Sequence, residues 1–235
     1  MARKWKEEWK VYENVFDNYT YRNLFKLQSQ GYFESLLSPI SVGKEANVFS
    51  AITKDQKLVI VKIYRLQTCN FNKMYDYIKL DPRYEHLKKQ RRKIIFAWTQ
   101  REYRNLMIAR DAGIRVPTPL TFLDNILVLE FIGDSQPALQ MKDHVPTAKR
   151  KYFDRIVEYI KKYWKAGFVH GDLSSFNILT YKNEPTFIDF SQATTIKSHN
   201  SKELLERDVY NIVTFAKKYG LKLDKDKIIK NIILK

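Results

Sequence analysis

One cysteine, Cys69, among 235 residues leaves the chain without an intrachain disulfide, and no Cys/His cluster at zinc-ligand spacing is present. A disulfide-stapled secreted scaffold and a structural zinc site are both excluded, and a reducing, cytoplasmic setting is expected. Long apolar runs are missing too. The best ones are broken by Lys62 or Glu130, and the N-terminus, Met1-Ala2-Arg3-Lys4-Trp5-Lys6-Glu7-Glu8, has no signal-like apolar core. Neither a membrane span nor export is expected. Internal repeats and low-complexity linkers are absent. Acidic residues are scarce, 26 against 42 Lys plus Arg, for a net charge of +16 at pH 7. That excess points to a polyanionic partner. What the chain does carry is 44% apolar and 14% aromatic residues, enough for one large domain or two small lobes and too many for a disordered chain.

The order of elements indicates an α+β fold in two lobes. Residues 1–30 read as basic, aromatic helical segments ending at Gly31. Strand patterns follow over 36–42, 47–53 and 57–65, with Lys54-Asp55-Gln56 as the turn between the last two. A strongly basic stretch precedes a helix over about 97–112, stopped by Gly113 with Pro117 and Pro119 beyond. Strands over 121–123 and 126–132 flank the hairpin signal Asp124-Asn125. The remainder is mostly helical, at about 147–166, 201–219 and 224–234, interrupted by short strands near Ile178 and Phe187. The expected division is an N-terminal extension and sheet lobe over 1–132, holding an antiparallel sheet with one helix, and a mostly helical lobe over 133–235.

The most informative segment is Val169-His170-Gly171-Asp172-Leu173-Ser174-Ser175-Phe176-Asn177-Ile178-Leu179, followed by Phe187-Ile188-Asp189-Phe190-Ser191. Phosphoryl transfer asks a protein chiefly for positioning and charge neutralisation, with hard oxygen ligands for Mg²⁺ and a carboxylate near the attacking oxygen. The pattern H-x-D-x-x-x-x-N plus a hairpin ending in Asp supplies that set. Asp172 is expected to orient or deprotonate the nucleophile, with Asn177 and Asp189 as metal ligands. The plainer alternative is a loop whose Asp and Asn only form turns.

Lys62 shares a strand face with Leu58, Ile60 and Tyr64, where a charge needs a partner. Glu102 lies on an apolar helix face between Trp98 and Leu106. The two are expected to meet, Lys62 binding the α and β phosphates of a nucleotide and Glu102 holding it. A snorkelling surface lysine and an ordinary helix glutamate are the alternative. Ahead of the Lys62 strand, Ile40-Ser41-Val42-Gly43-Lys44-Glu45-Ala46-Asn47-Val48-Phe49 has one glycine and matches neither G-x-G-x-x-G nor a Walker loop. Its position still lets Ser41, Lys44 and the amides near Gly43 reach phosphates. Asp208 falls on the apolar face of Leu204, Leu205 and Ile212, where a carboxylate needs donors.

Together these residues resemble the RIO family of atypical serine/threonine protein kinases, closest to the Rio1-type subfamily with its S-T-G-K-E-A-N-V-Y loop. The likeness runs through Val61-Lys62-Ile63-Tyr64, Tyr75-Asp76-Tyr77-Ile78, Asp81-Pro82-Arg83, Trp98-Thr99-Gln100-Arg101-Glu102-Tyr103-Arg104-Asn105-Leu106 and Glu130-Phe131-Ile132-Gly133. It continues to His170-Gly171-Asp172-Leu173-Ser174, Ile188-Asp189-Phe190-Ser191-Gln192 and Arg207-Asp208-Val209. Val42, Phe49 and Phe190 stand where the family usually has Thr, Tyr and a small apolar residue. The resemblance implies a trimmed kinase fold, ATP with Mg²⁺ or Mn²⁺, and adenine held by the backbone at Glu130 and Ile132. It implies autophosphorylation or ATP hydrolysis, Asp189 as an acceptor of the phosphoryl group, Asp208 as support for the catalytic-loop backbone, and a role in late maturation of the small ribosomal subunit.

Between Pro82 and Lys93 the chain places Arg83, Lys88, Lys89, Arg91, Arg92 and Lys93 against the single acid Glu85, with Tyr75, Tyr77, Tyr84 and Phe96 nearby. This segment is expected to meet rRNA of the small-subunit precursor, its aromatics stacking on unpaired bases. A solvated insertion is the alternative. Only about ten residues separate Ser191 from the next helix, and no Ala-Pro-Glu follows Asp189, so there is no room for a peptide-holding activation segment. Two other functions fit parts of the pattern: a small-molecule phosphotransferase, and an RNA-binding scaffold with a vestigial nucleotide pocket.

Overall fold

A computed structural model describes residues 16–67 and 69–234; the basic segment expected to be helical over 1–15 lies outside them. Helix α1 (Asn18–Ser29) leads into strands β1 (Ser35–Val42), β2 (Ala46–Ile52) and β3 (Leu58–Tyr64). Helices α2 (Phe71–Ile78) and α3 (Arg91–Asp111) follow, then β4 (Pro119–Leu123) and β5 (Ile126–Glu130). The five strands form one antiparallel sheet in the order β1-β2-β3-β5-β4. Asp124 turns the β4–β5 hairpin with φ 53°, a left-handed conformation that Asp tolerates.

The sequence of β3, Leu-Val-Ile-Val-Lys-Ile-Tyr, suits a central strand covered on both faces. Val59, Val61 and Ile63 pack with Phe49, Ile126 and Val128 under Leu24 and Leu27 of α1. Alternation then sends Ile60, Lys62 and Tyr64 to the opposite side, toward α3 and a cavity. Asp17 caps α1 by accepting from the amides of Tyr19 and Thr20 at 3.0 and 2.9 Å.

Several features differ from the sequence-based expectation: β5 ends at Glu130 and not at Ile132, the short strands β6 (Leu139–Gln140), β7 (Phe168–Val169) and β10 (Thr194–Thr195) are additional, and two helices depart from it. Helix α3 begins at Arg91, six residues before the expected start, because its first turn is Arg91-Arg92-Lys93. Helix N-termini favour acids, and Gln90 offers no side-chain cap, so nothing in the local pattern announces this start. Helix α2 is additional to the expected elements. It buries Met74 and Ile78 with Cys69, Tyr84, Ile94, Ile95 and Trp98 in a core of its own.

The second half contains β6 (Leu139–Gln140), α4 (Lys149–Lys165), β7 (Phe168–Val169), β8 (Ile178–Tyr181), β9 (Glu184–Phe187), β10 (Thr194–Thr195), α5 (Ser201–Lys217) and α6 (Lys225–Ile233). Its core joins Phe153, Ile156 and Ile160 of α4 to Leu205, Val209 and Ile212 of α5, with Leu173, Phe187 and Phe190 between them. β7 pairs with β10, and β8 pairs with β6 and β9. Lys182 and Asn183, both at positive φ, make the tight β8–β9 turn that returns the chain to Asp189. Among the described residues no helix is long and apolar enough to cross a membrane.

Candidate active site

A cavity of about 730 Å³ opens beneath the sheet, within the range of small-ligand sites. Its lining brings together Ser41, Lys44, Lys62, Glu102, Asn177 and Asp189 from elements far apart in sequence. Glu130 and Ile132 line it as well. The Glu130 carboxylate turns away to accept from the amide and hydroxyl of Thr118, so this residue meets the cavity with its backbone.

Lys62 is the junction. Its Nζ donates to Glu102 Oε1 at 2.8 Å and to Asp189 Oδ1 at 3.1 Å. The Glu102 side chain is 1% exposed and that of Lys62 11%. Burial works against the Lys62 ammonium, but Asp189 and Glu102 outweigh it and hold the group well above the usual lysine range. The hydroxyl of Tyr64 donates to the other Glu102 oxygen, Oε2, so both carboxylate oxygens are bonded. Tyr64 stands two residues beyond Lys62, the period-two spacing that puts both on one face.

The segment 170–177 is held from below by α5. Asp208 accepts from the amides of Gly171 and Leu173, both at 2.8 Å, and Arg207 donates to the Gly171 carbonyl. Burial pushes the Asp208 carboxyl up to about 7 against the pull of those two amides. Gly171 has φ 77°, and a Cβ there would lie 3.2 Å from the Gln192 carbonyl oxygen, so a side chain would be strained and crowded. His170 packs against the Phe190 ring with centroids 4.6 Å apart, and its Nε2 lies 3.2 Å from the Ile188 carbonyl oxygen. Burial lowers its pKa to about 4.

Asp172 is raised by burial and by the charge of Asp189, more than Arg207 and Asn177 lower it. Asn177 Nδ2 donates to the Asp172 carbonyl at 2.7 Å, with Asp172 Oδ2 at 3.3 Å. Asp189 has φ 60° and ψ 67°, a left-handed backbone, and opens a 3₁₀ turn over Phe190–Gln192. Burial raises its carboxyl, but the Lys62 ammonium and the Ser191 hydroxyl prevail and hold it below the usual carboxylate range.

The donors suit Mg²⁺. Asn177 and Asp189 offer hard oxygens, and among the described residues no three His, Cys, Asp or Glu side chains gather as a complete metal cage. Mg²⁺ is commonly held by one or two carboxylates, with waters and substrate phosphates completing the octahedron. The arrangement fits that incomplete protein shell.

The expected basic patch loses one member. Arg83 donates through Nε and Nη2 to Asp81 and through Nη1 to Asn105 at 3.0 Å, so its guanidinium is not free for a phosphate. Lys88, Lys89, Arg91, Arg92 and Lys93 are exposed. Tyr64, Asn105 and Ser191 bond directly to Glu102, to the turn after Asp189 and to Asp189, roles that the motifs alone do not assign. Asn105 follows Glu102 by three, the spacing of one helix face, which is the signal that was available.

A strand lobe above and a helical lobe below, with a Lys–Glu pair in one and an H-x-D-x-x-x-x-N loop in the other, define a protein-kinase-like phosphotransferase. A RIO domain profile matches residues 47–228. The RIO-type serine/threonine-protein kinase Rio1 of Haloferax volcanii is 36% identical over 230 residues, covering 97% of this chain and 79% of that protein. The protein of the same description from Methanocaldococcus jannaschii is 40% identical over 218 residues, covering 92% and 74%. Among solved structures, a Rio2 kinase–ADP/Mg²⁺–phosphoaspartate complex from Chaetomium thermophilum superposes with a TM-score of 0.67 at 20% identity, covering 88% of this chain and 64% of that one. The chain belongs to the RIO family of atypical serine/threonine protein kinases.

Proposed function

We propose that the chain is an ATP- and Mg²⁺-dependent (or Mn²⁺-dependent) kinase and ATPase that phosphorylates itself or hydrolyses ATP during late maturation of the small ribosomal subunit. The observation that carries this reading is the Lys62 ammonium held between Glu102 and Asp189. ATP supplies the phosphoryl group and the metal neutralises charge on its phosphates. In this reading Lys62 binds the α and β phosphates and Glu102 fixes it, while Ser41 from the end of β1 and Lys44 from the β1–β2 turn close over the phosphates. Adenine lies against the backbone at Glu130 and Ile132, where we place the join between lobes. Asn177 and Asp189 hold the metal. Asp172 takes the proton of the attacking hydroxyl or water, a task suited to a carboxyl raised by burial.

The interval from Ser191 to α5 at Ser201 favours the protein itself or water over a free peptide, since it holds only the two-residue strand β10 and short turns. The exposed cations from Lys88 to Lys93 support precursor rRNA as the partner. Arg91, Arg92 and Lys93 place like charge at the positive end of the α3 dipole, an arrangement that a bound polyanion relieves. A vestigial pocket on a scaffold would have no need to keep the Lys62–Glu102 pair buried and bonded.

The test is to incubate purified chain with ATP, with and without Mg²⁺, measuring ADP release and protein-bound phosphate together. Metal-dependent turnover that rises with small-subunit precursor is expected. An acyl phosphate on Asp189 would be cleaved by hydroxylamine, whereas Ser/Thr esters survive it. Rapid phosphorylation of an unrelated peptide, at about 1–100 per second as in ordinary protein kinases, would overturn the reading.

A further inference from the structure

Helix α3 touches the two halves of the site from one face. Glu102 takes Lys62, and three residues later Asn105 reaches the turn that carries Asp189. Asn105 is completely buried. Its Nδ2 donates to the carbonyls of Phe190 and Ala193 at 2.9 and 2.7 Å, and its Oδ1 accepts from Arg83. An amide buried in this way is unfavourable unless its bonds are made, and here they converge on residues one and four beyond Asp189.

Asp189 is held in its turn from both sides. Its left-handed backbone, φ 60°, is one that Asp tolerates, and the bonds around the turn fix it there. Ser191, in the same turn and almost fully buried, donates its hydroxyl to Asp189 Oδ1 at 2.7 Å. That oxygen also receives Lys62. With Oδ1 doubly bonded, Oδ2 is the oxygen left for a ligand.

We propose that Asn105 and Ser191 are positioning residues for Asp189. Asn105 clamps the backbone of its turn, and Ser191 fixes the rotation of its carboxylate so that one oxygen holds Lys62 and the other meets the metal. Helix α3 thereby sets the separation between the phosphate-binding lysine and the metal-binding aspartate. This rests on the nucleotide and metal reading above.

Three variants test it: Asn105→Leu removes both donors at similar volume, Ser191→Ala removes the hydroxyl, and Ser191→Thr restores one. ADP binding is measured by calorimetry with and without Mg²⁺, and amide hydrogen exchange over 187–196 is measured without nucleotide. In Asn105→Leu, exchange over 187–196 should rise by about tenfold or more while α4 and α5 stay protected. The enhancement of ADP binding by Mg²⁺ should fall roughly 5- to 100-fold in Asn105→Leu and Ser191→Ala, the loss expected for one missing bond to a charged or buried group. Metal-free ADP binding should stay within about twofold of the parent, and Ser191→Thr should recover the enhancement. A full Mg²⁺ effect in Ser191→Ala, or an equal loss with and without metal, overturns the positioning role. Unchanged exchange in Asn105→Leu overturns the clamp. If Asn105→Leu fails to fold, the Ser191 pair decides. If the parent protein shows no Mg²⁺ effect on ADP, the proposed function fails, and the exchange data still judge the clamp.

Discussion

Lys62 and Glu102 stand forty residues apart in sequence and 2.8 Å apart in space, and the glutamate's second oxygen is taken by the Tyr64 hydroxyl. The pair is therefore a triad of one strand face and one helix face. Tyr64→Phe removes a donor and leaves a buried carboxylate oxygen unpaired, at a cost of about 1–3 kcal/mol. Denaturant unfolding should show that loss. Stability equal to the parent would mean that Glu102 does not depend on the phenol.

Asp172→Asn should lower turnover by roughly 10²- to 10⁴-fold, the usual contribution of a general base, while ATP binding survives. Separate binding and turnover measurements check this. Near-normal turnover would remove Asp172 from the chemistry.

In Asp189→Ala the metal effect on ATP binding should disappear along with turnover, because a hard oxygen ligand is gone. Titration of ATP with and without Mg²⁺ reads it directly. An unchanged metal dependence would reassign the ligand.

Replacing Lys88, Lys89, Arg91, Arg92 and Lys93 together with Gln should weaken RNA binding across sequences. The log–log salt slope should become shallower by roughly 3 to 4, from about 0.7 per neutralised phosphate on single strands. Arg83→Gln should leave the slope alone, since that guanidinium is bound to Asp81 and Asn105. A parental slope in the fivefold variant would move the RNA surface elsewhere.

His170 is buried in its neutral form, with a pKa lowered to about 4 against an ordinary value of 6.5. The unfolded chain takes up the proton first, so this group's contribution is complete above pH 6.5 and is lost as pH falls toward 4. The loss is on the order of 3 kcal/mol. His170→Phe should flatten that part of the stability–pH curve, as followed by denaturant unfolding at several pH values. Parallel curves for parent and variant would show that the imidazole is not held neutral.

Much of this was readable from the sequence. Strand β3 was visible within one residue at each end because β-branched residues alternate with Lys62 and Tyr64, and α4 to α6 followed from helical periodicity. Lys62, Glu102, Asn177 and Asp189 were expected to share a site, and they line one cavity. The start of α3 was hidden because three cations occupy a position where helices favour acids. Arg83 looked like part of a charged surface because its main partner, Asp81, falls just outside the basic stretch 82–93, and its other partner, Asn105, lies 22 residues away. Ser191 and Asn105 lie within the matching motifs but carry no legible role there, because their bonds exist only once α3 has docked on the turn after Asp189.

The basic surface and the Lys62 anchor are two places on one rod. Residues 91 to 102 belong to a single uninterrupted helix, which spans about 16 Å between Arg91 and Glu102 at 1.5 Å per residue. No loop lies between them to absorb a displacement. A partner gripping Arg91, Arg92 and Lys93 would be holding the far end of a lever whose near end carries Glu102, so a tilt of α3 is transmitted to the spacing of the charges around Lys62.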